Sequence, residues 1–374
     1  MLCNFRYESE VIQEIIGRIC TELDHKFSGV YEALVGMDSR VEEMLGSYLG
    51  EGLGDVRFVG ICGMGGMGKT TLAREIYNRI SSNFEVSSFI ANVREESESG
   101  SLVSLQNNLL SKILMGAENN ISDVEEGKKI LRNRLCKKKV LIVLDDVNED
   151  KQLKALAGND WFGPESIIIV TSRDSHLLNT SWDGVIDIYI AEGLNDDEAM
   201  GLFSLKAFKK PHPEENYVDL SMNFVSYANG LPLALRVLGS SLFGKTLDAW
   251  RSARDKLEAK PNRVIMDVLE MSVVGLDDTQ RDLFLDIAFL FKDMAYYRIR
   301  DTLESLGHCT YDIDVLQDKS LITITSNGAL WMHDLLKEMG RDIVRRESLE
   351  EPGKRSRLWS YKDVLHVLTS NAVS

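Results

Sequence analysis

The stretch "GMGGMGKTT" at 63–71 fits G-x-x-x-x-G-K-[ST], a spacing suited to phosphate, between a β-rich run and an amphipathic helix. Gly63, Gly65, Gly66 and Gly68 let the backbone curl around Met67 until successive N–H groups and a helix dipole face phosphate oxygens. Lys69 then reaches the β- and γ-phosphates, Thr70 ligates Mg²⁺, and Thr71 closes the motif. "KKKVLIVLDDV" at 137–147 is the natural second half of such a site, a buried strand delivering carboxylates to its end. Asp145 is expected to hold Mg²⁺ through water, and Asp146 to orient or deprotonate the attacking water. "IIIVTSRD" at 167–174 ends in Arg173, whose guanidinium can bridge two γ-phosphate oxygens; a surface ion pair is its plainer use. Far downstream, "ALWMHDLLKEMG" at 329–340 sets His333 and Asp334 where a β-run turns into a helix, with Asp334 the natural N-cap.

These groups need elements to aim them. From about 56 to 190 short β-rich runs alternate with amphipathic helices, which predicts a parallel sheet covered by helices on both faces. The strands are expected at 56–62, 87–93, 139–145, 166–172 and 187–191, and Leu72, Ile76 and Ile80 mark one helix between them. Beyond 194 helical pattern dominates, with Asn195 as an N-cap ahead of an acidic first turn. Pro261 in "KPNRV" marks a boundary, because the residue before proline avoids the helical region. From 263 to about 346 the pattern reads three helices, then a hairpin turning at Asn327–Gly328, the outline of a winged helix. Upstream, 8–27 place Val11, Ile12, Ile15, Ile16, Ile19 and Leu23 on one helical face, as in a connector from a preceding domain.

Bulk properties narrow the partners. A chain of 374 residues divides into two to four modules, and 44% hydrophobic with 27% charged residues is the balance of a folded protein. A net charge of −15 repels polyanions, so nucleic acid is not the expected partner. The five cysteines form no Cys-x-x-Cys pair and read as reduced thiols. No apolar run approaches the length of a membrane span and the N-terminus lacks a signal-peptide core, so a cytoplasmic or nuclear protein is expected.

The order of motifs resembles the NB-ARC nucleotide-binding module of plant disease-resistance receptors with leucine-rich repeats, specifically those with an N-terminal TIR domain. The matching stretches include "LVGMDSRVEEM", "GMGGMGKTT", "FIANVREES", "VLIVLDDVN", "IIIVTSRDSHLL", "NGLPLALRVLGS", "FLDIAFLFK" and "MHDLLKEMGRDIVRRE". "FLDIA" is followed by Ala288, Phe289, Leu290 and Phe291 where the family has a cysteine and aromatic residues. The resemblance implies an α/β P-loop NTPase domain at 29–192, a helical domain at 193–262 and a winged-helix domain at 263–347. Linkers at 1–28 and 348–374 would lead to TIR and leucine-rich-repeat domains. It implies that Val35 and Gly36 line an adenine pocket, Pro232 closes over the base, and His333 contacts the β-phosphate of ADP.

The function so implied is an ADP/ATP switch that opens on exchange, oligomerises with copies of itself and signals defence, a pathogen effector or guarded host protein acting indirectly. Slow ATP hydrolysis would reset it. An ATPase-linked winged-helix regulator of transcription is the alternative, although its third helix, 311–320, carries Asp312, Asp314 and Asp318 against Lys319 alone. A small-molecule kinase lacks an acceptor-binding lid.

Overall fold

The computed structural model describes residues 35–49, 55–113, 121–182, 186–290, 302–325 and 328–370. The connector helix expected at 8–27 and Asn327 lie outside them. The first half runs α1 (Met37–Glu43), β1 (Arg57–Cys62), α2 (Lys69–Ile80), β2 (Val86–Ile90), α3 (Val93–Ser99), α4 (Leu102–Ile113) and α5 (Val124–Leu135). It continues with β3 (Val140–Val147), α6 (Asp150–Leu156), β4 (Ile167–Ser172), α7 (Ser175–Thr180) and β5 (Asp187–Ile190). The strands form one sheet in the order β2-β3-β4-β1-β5, and every neighbouring pair is parallel.

Side chains alternate across a strand, so the continuous apolar runs of β3 and β4 feed two cores at once. Ile142, Leu144, Ile168 and Val170 pack with Leu109 of α4 and Leu131 of α5. Leu141, Val143, Ile167 and Ile169 pack on the opposite face with Leu72 and Ile76 of α2. The expected strand at 87–93 ends early: β2 stops at Ile90, and Asn92, left-handed at φ 51°, turns the chain into α3.

The second half is helical: α8 (Asp196–Phe208), α9 (Val218–Ala228), α10 (Pro232–Leu242), α11 (Leu247–Ala259), α12 (Arg263–Glu270), α13 (Asp278–Leu290) and α14 (Thr310–Asp318). A two-stranded antiparallel hairpin follows, β6 (Thr323–Ile324) against β7 (Leu330–Trp331), with Gly328 left-handed in the turn. Then come α15 (Asp334–Glu347) and α16 (Tyr361–Ser370). Asn195 caps α8 as expected, its side chain accepting from Glu198 N–H within a capping box. Trp250 anchors the first four helices, buried among Phe203, Phe208, Tyr217 and Phe224. The chain does turn at Lys260–Pro261, but one hydrophobic cluster runs unbroken from Phe203 through Ile265 and Phe284 to Val344. Ala288 is buried in that cluster, and Phe289 meets Trp359 edge-on at 5.1 Å.

Candidate functional site

Strand order builds the site. Because β4 lies between β1 and β3, the loop after β1, the acids of β3 and the arginine after β4 meet at one sheet edge. A cavity of about 500 Å³ opens there, and Val35, Gly65, Gly66, Met67, Gly68, Lys69, Thr70, Thr71, Asp146, Arg173 and Pro232 all line it.

The glycine loop is in close contact with the helical half. Gly66 has φ 80°, Leu233 N–H donates to its carbonyl at 3.2 Å, and a Cβ on Gly66 would stand 2.7 Å from Leu233 Cβ. Pro232 opens α10 at a position whose missing N–H is not needed. Gly63 lies behind the cavity, where its carbonyl and that of Met64 accept from Lys69 Nζ at 2.6 and 2.9 Å. Burial, then the positive charge of Arg173, lowers the Lys69 pKa to about 8. Arg173 is itself shifted downward by burial, with Arg94 adding repulsion. This is a crowd of buried cations arranged as if for an anion.

The acid pair is split by a β-bulge. The β3–β4 register shifts between Leu144 and Val147, and Asp146 takes φ 57°, a conformation Asp tolerates better than most residues. Asp145 is buried behind the cavity, its Oδ1 accepting from the hydroxyls of Thr70 at 2.8 Å and Thr171 at 2.7 Å. Asp146 instead turns toward two arginines, Arg94 at 2.8 Å and Arg173 at 3.6 Å.

Gly36, left-handed at φ 70°, stands between Val35 and Met37 of the cavity wall but is not itself a lining residue, contrary to the expectation for it. Its carbonyl accepts from Arg40, whose guanidinium also bonds Gly193 O at 3.1 Å and pairs with Glu198 of α8 at 3.2 Å. A Cβ on Gly36 would collide with that Glu198 carboxylate. Arg40, Tyr189, Leu194, Leu202, Lys206, Leu233 and Arg236 also line the wall and were not singled out in sequence. Leu233, next to Pro232 in "GLPL", carried the one usable signal.

His333 lies outside the residues lining the cavity. It, not Asp334, is the N-cap of α15: Nδ1 accepts from Leu335 N–H at 3.1 Å, and Nε2 donates to Asn229 O at 3.0 Å. Burial lowers its pKa, so the ring is the neutral Nε2–H tautomer that both bonds require. Asp334, expected as the cap, takes the first helical position, paired with Lys337 and 3.4 Å from Asn229 Nδ2. The substitution of roles has a tertiary cause: a neutral imidazole can accept from the helix N–H and donate to Asn229 O at once, whereas a carboxylate only accepts.

Sheet order, glycine loop, buried lysine and divided acid pair define a P-loop nucleotide-binding protein. The NB-ARC domain family matches residues 37–213, and the winged-helix domain of Roq1-like disease resistance proteins matches 277–348. The chain is 42% identical over 367 residues to disease resistance protein RUN1 of Vitis rotundifolia, covering 97% of this chain and 27% of that protein. To TMV resistance protein N of Nicotiana glutinosa it is 39% identical over 374 residues, covering 97% and 32%. A Walker-type ATPase of Pyrococcus abyssi superposes with a TM-score of 0.52 at 14% identity, over 83% of this chain and 97% of that one, a likeness of fold alone. The chain belongs to the NB-ARC family of plant disease-resistance proteins, as its motifs led us to expect. It spans about a quarter to a third of the length of the curated relatives it matches. No helix among the described residues is long and apolar enough to cross a membrane.

Proposed function

We propose that the chain is the ADP/ATP switch of an intracellular immune receptor, off when closed around ADP and opened by exchange for ATP. The observation that carries this reading is the position of Arg173. Its Nη1 donates to Val268 O at 3.1 Å and Ser272 Oγ at 3.0 Å, both on the winged-helix side, while the residue also lines the cavity. Both bonds are made by Nη1, so a γ-phosphate that draws Nη1 to itself has to break them. ADP leaves the latch in place, and a third phosphate competes for it, which is the differential contact a ligand needs to shift a conformational equilibrium.

A second tie acts through the loop that carries Pro232. The bond from His333 to Asn229 O holds that loop from the winged-helix side, so we place the effect of His333 on nucleotide retention through Asn229 rather than through direct phosphate contact. Mg²⁺ fits the donors present, since Asp145 and the Thr70 and Thr171 hydroxyls offer the hard oxygen set it prefers. When bound it would neutralise charge on phosphate oxygens. Asp146 would orient the attacking water, with slow hydrolysis resetting the switch.

In the whole receptor we place this module between a TIR domain and leucine-rich repeats, in the cytoplasm or nucleus. Opening would permit oligomerisation, triggered indirectly by a pathogen effector or guarded host protein. The transcription-regulator reading is disfavoured by the packing of α14. Ser175 donates to Asp318, and Lys319 pairs with Asp174, so the end of this helix is spent against the P-loop half rather than free for a DNA groove.

The test is to identify the nucleotide released from the purified, heat-denatured chain, and to compare opening with ATP and ADP by limited proteolysis in parent and Arg173→Ala. We expect ADP, and a mutant in which ATP and ADP act alike. Absence of any adenine nucleotide, or a mutant that still distinguishes the two, overturns the reading.

A further inference from the structure

The motif "FIANVREES" supplies the shortest ion pair to Asp146, through Arg94. Arg94 Nη2 lies 2.8 Å from Asp146 Oδ2, and Arg173 Nε lies 3.6 Å from Oδ1, so each carboxylate oxygen faces its own guanidinium. The Arg94 and Asp146 side chains are only 14% and 24% exposed, which limits screening of the pair by solvent. Both ends are fastened. Asp146 is aimed by the bulge and by its N–H, which donates to Thr171 Oγ1 at 2.9 Å. Arg94 rides on α3, which is tied to the end of β3 through Gln152: Nε2 donates to Ser97 Oγ at 2.7 Å and to Asn148 Oδ1 at 2.8 Å. Arg94 also reaches Met271 Sδ, at 4.0 Å, on the same winged-helix turn whose Ser272 holds Arg173.

We propose that Arg94 is a positioning residue that holds Asp146 away from the attacking water, so that the closed form is restrained from hydrolysing ATP. The inference rests on the nucleotide-switch reading. In hydrolysis the water oxygen bonds to the γ-phosphorus, and the bond from that phosphorus to the β,γ-bridging oxygen breaks with its electron pair leaving on ADP. The water's proton passes through a base to the released phosphate. The Arg94 pair draws the carboxylate toward α3 and occupies an acceptor site of Oδ2, so that water must compete with two guanidiniums for a well-aimed acceptor. Loss of the winged-helix turn removes Met271 from Arg94 and Ser272 from Arg173 together, which loosens both guanidiniums that face Asp146.

The experiment measures kcat and KM for ATP in the whole chain for the parent, Arg94→Ala, Arg94→Lys and Arg94→Ala/Asp146→Asn, with ADP affinity measured beside them. Arg94→Ala should raise kcat about 10-fold with KM unchanged, a fraction of the 10²–10⁴ that a positioned base contributes. Arg94→Lys, which keeps the charge, should fall between, and Asp146→Asn should erase the gain. A purely structural role would move ADP affinity and leave no rescue by lysine. If Arg94→Ala binds ADP like the parent and hydrolyses no faster, or more slowly because Arg94 stabilises the transferring phosphate, the proposal fails while the switch reading stands. If no variant, parent included, binds ADP, the switch reading itself has failed.

Discussion

The two halves of the molecule hold their share of the site by different means. In the sheet half the groups are charged and deeply set: Lys69 and Asp145 are buried, each with two hydrogen-bond partners from their own half. The helical half meets the sheet half with apolar side chains such as Pro232 and Leu233, with the neutral acceptors Val268 O and Ser272 Oγ, and with ion pairs such as Glu198 to Arg40 and Lys319 to Asp174. Charge-assisted bonds are worth roughly twice neutral ones. The division therefore leaves the fixed charges of the phosphate site with one half, while the other supplies uncharged acceptors to the Arg173 guanidinium.

The largest expected effect tests the sheet side. Lys69→Ala should weaken ADP binding by at least about 3 kcal/mol, more than a hundredfold, because two charge-assisted phosphate bonds are lost. Calorimetry giving equal affinity for mutant and parent would end the phosphate-loop assignment. Gly66→Ala strikes where the halves touch, combining a left-handed backbone with a Cβ 2.7 Å from Leu233. It should lower stability by about 2–4 kcal/mol in urea unfolding and speed ADP release. A change under about 0.5 kcal/mol would mean the loop and α10 separate freely.

The next effect is on pH. Free Lys69 has a pKa of about 8, and a bound phosphate raises it, so the complex holds one more proton than the free protein above pH 8. ADP affinity should be level below pH 8 and fall by up to tenfold per unit above it, about 30-fold by pH 9.5. A flat profile to pH 9.5 would place Lys69 away from phosphate. On the helical side His333→Ala removes a cap and a buried bond, about 1–2 kcal/mol, and should speed ADP release about 5- to 30-fold. Smallest of all is Asp334→Val: its carboxylate is 68% exposed, and the Lys337 pair it loses is worth under about 0.5 kcal/mol. Equal off-rates for the two variants would mean that the cap contributes nothing to the latch.

Much of the sheet half was legible because its signals are local. The apolar run 140–144 and the glycine loop announce themselves within ten residues. What failed depended on distance. Asp is as good an N-cap as any by propensity, and nothing near 333 reveals that Asn229 would recruit the imidazole instead. The pairing of Arg94 with Asp146 joins residues far apart in the chain, and it depends on a left-handed Asp146 that "LDDV" does not advertise. Similarly, Asn92 ended a strand that β-propensity carried on to 93, because the chain had to turn there to set α3 beside β3.

The parallel register also governs how the protein comes into being. β1 is flanked only by β4 and β5, strands that follow it by more than a hundred residues. Contacts of such separation bear a large loop-closure entropy and form late. Until Ile167–Ser172 has been made, the segment "VRFVGIC" has no strand to pair with, and the phosphate loop gains its shape only after that. Nascent chains shorter than this have no nucleotide site and one unpaired strand, which makes them clients for chaperones rather than competitors for ADP.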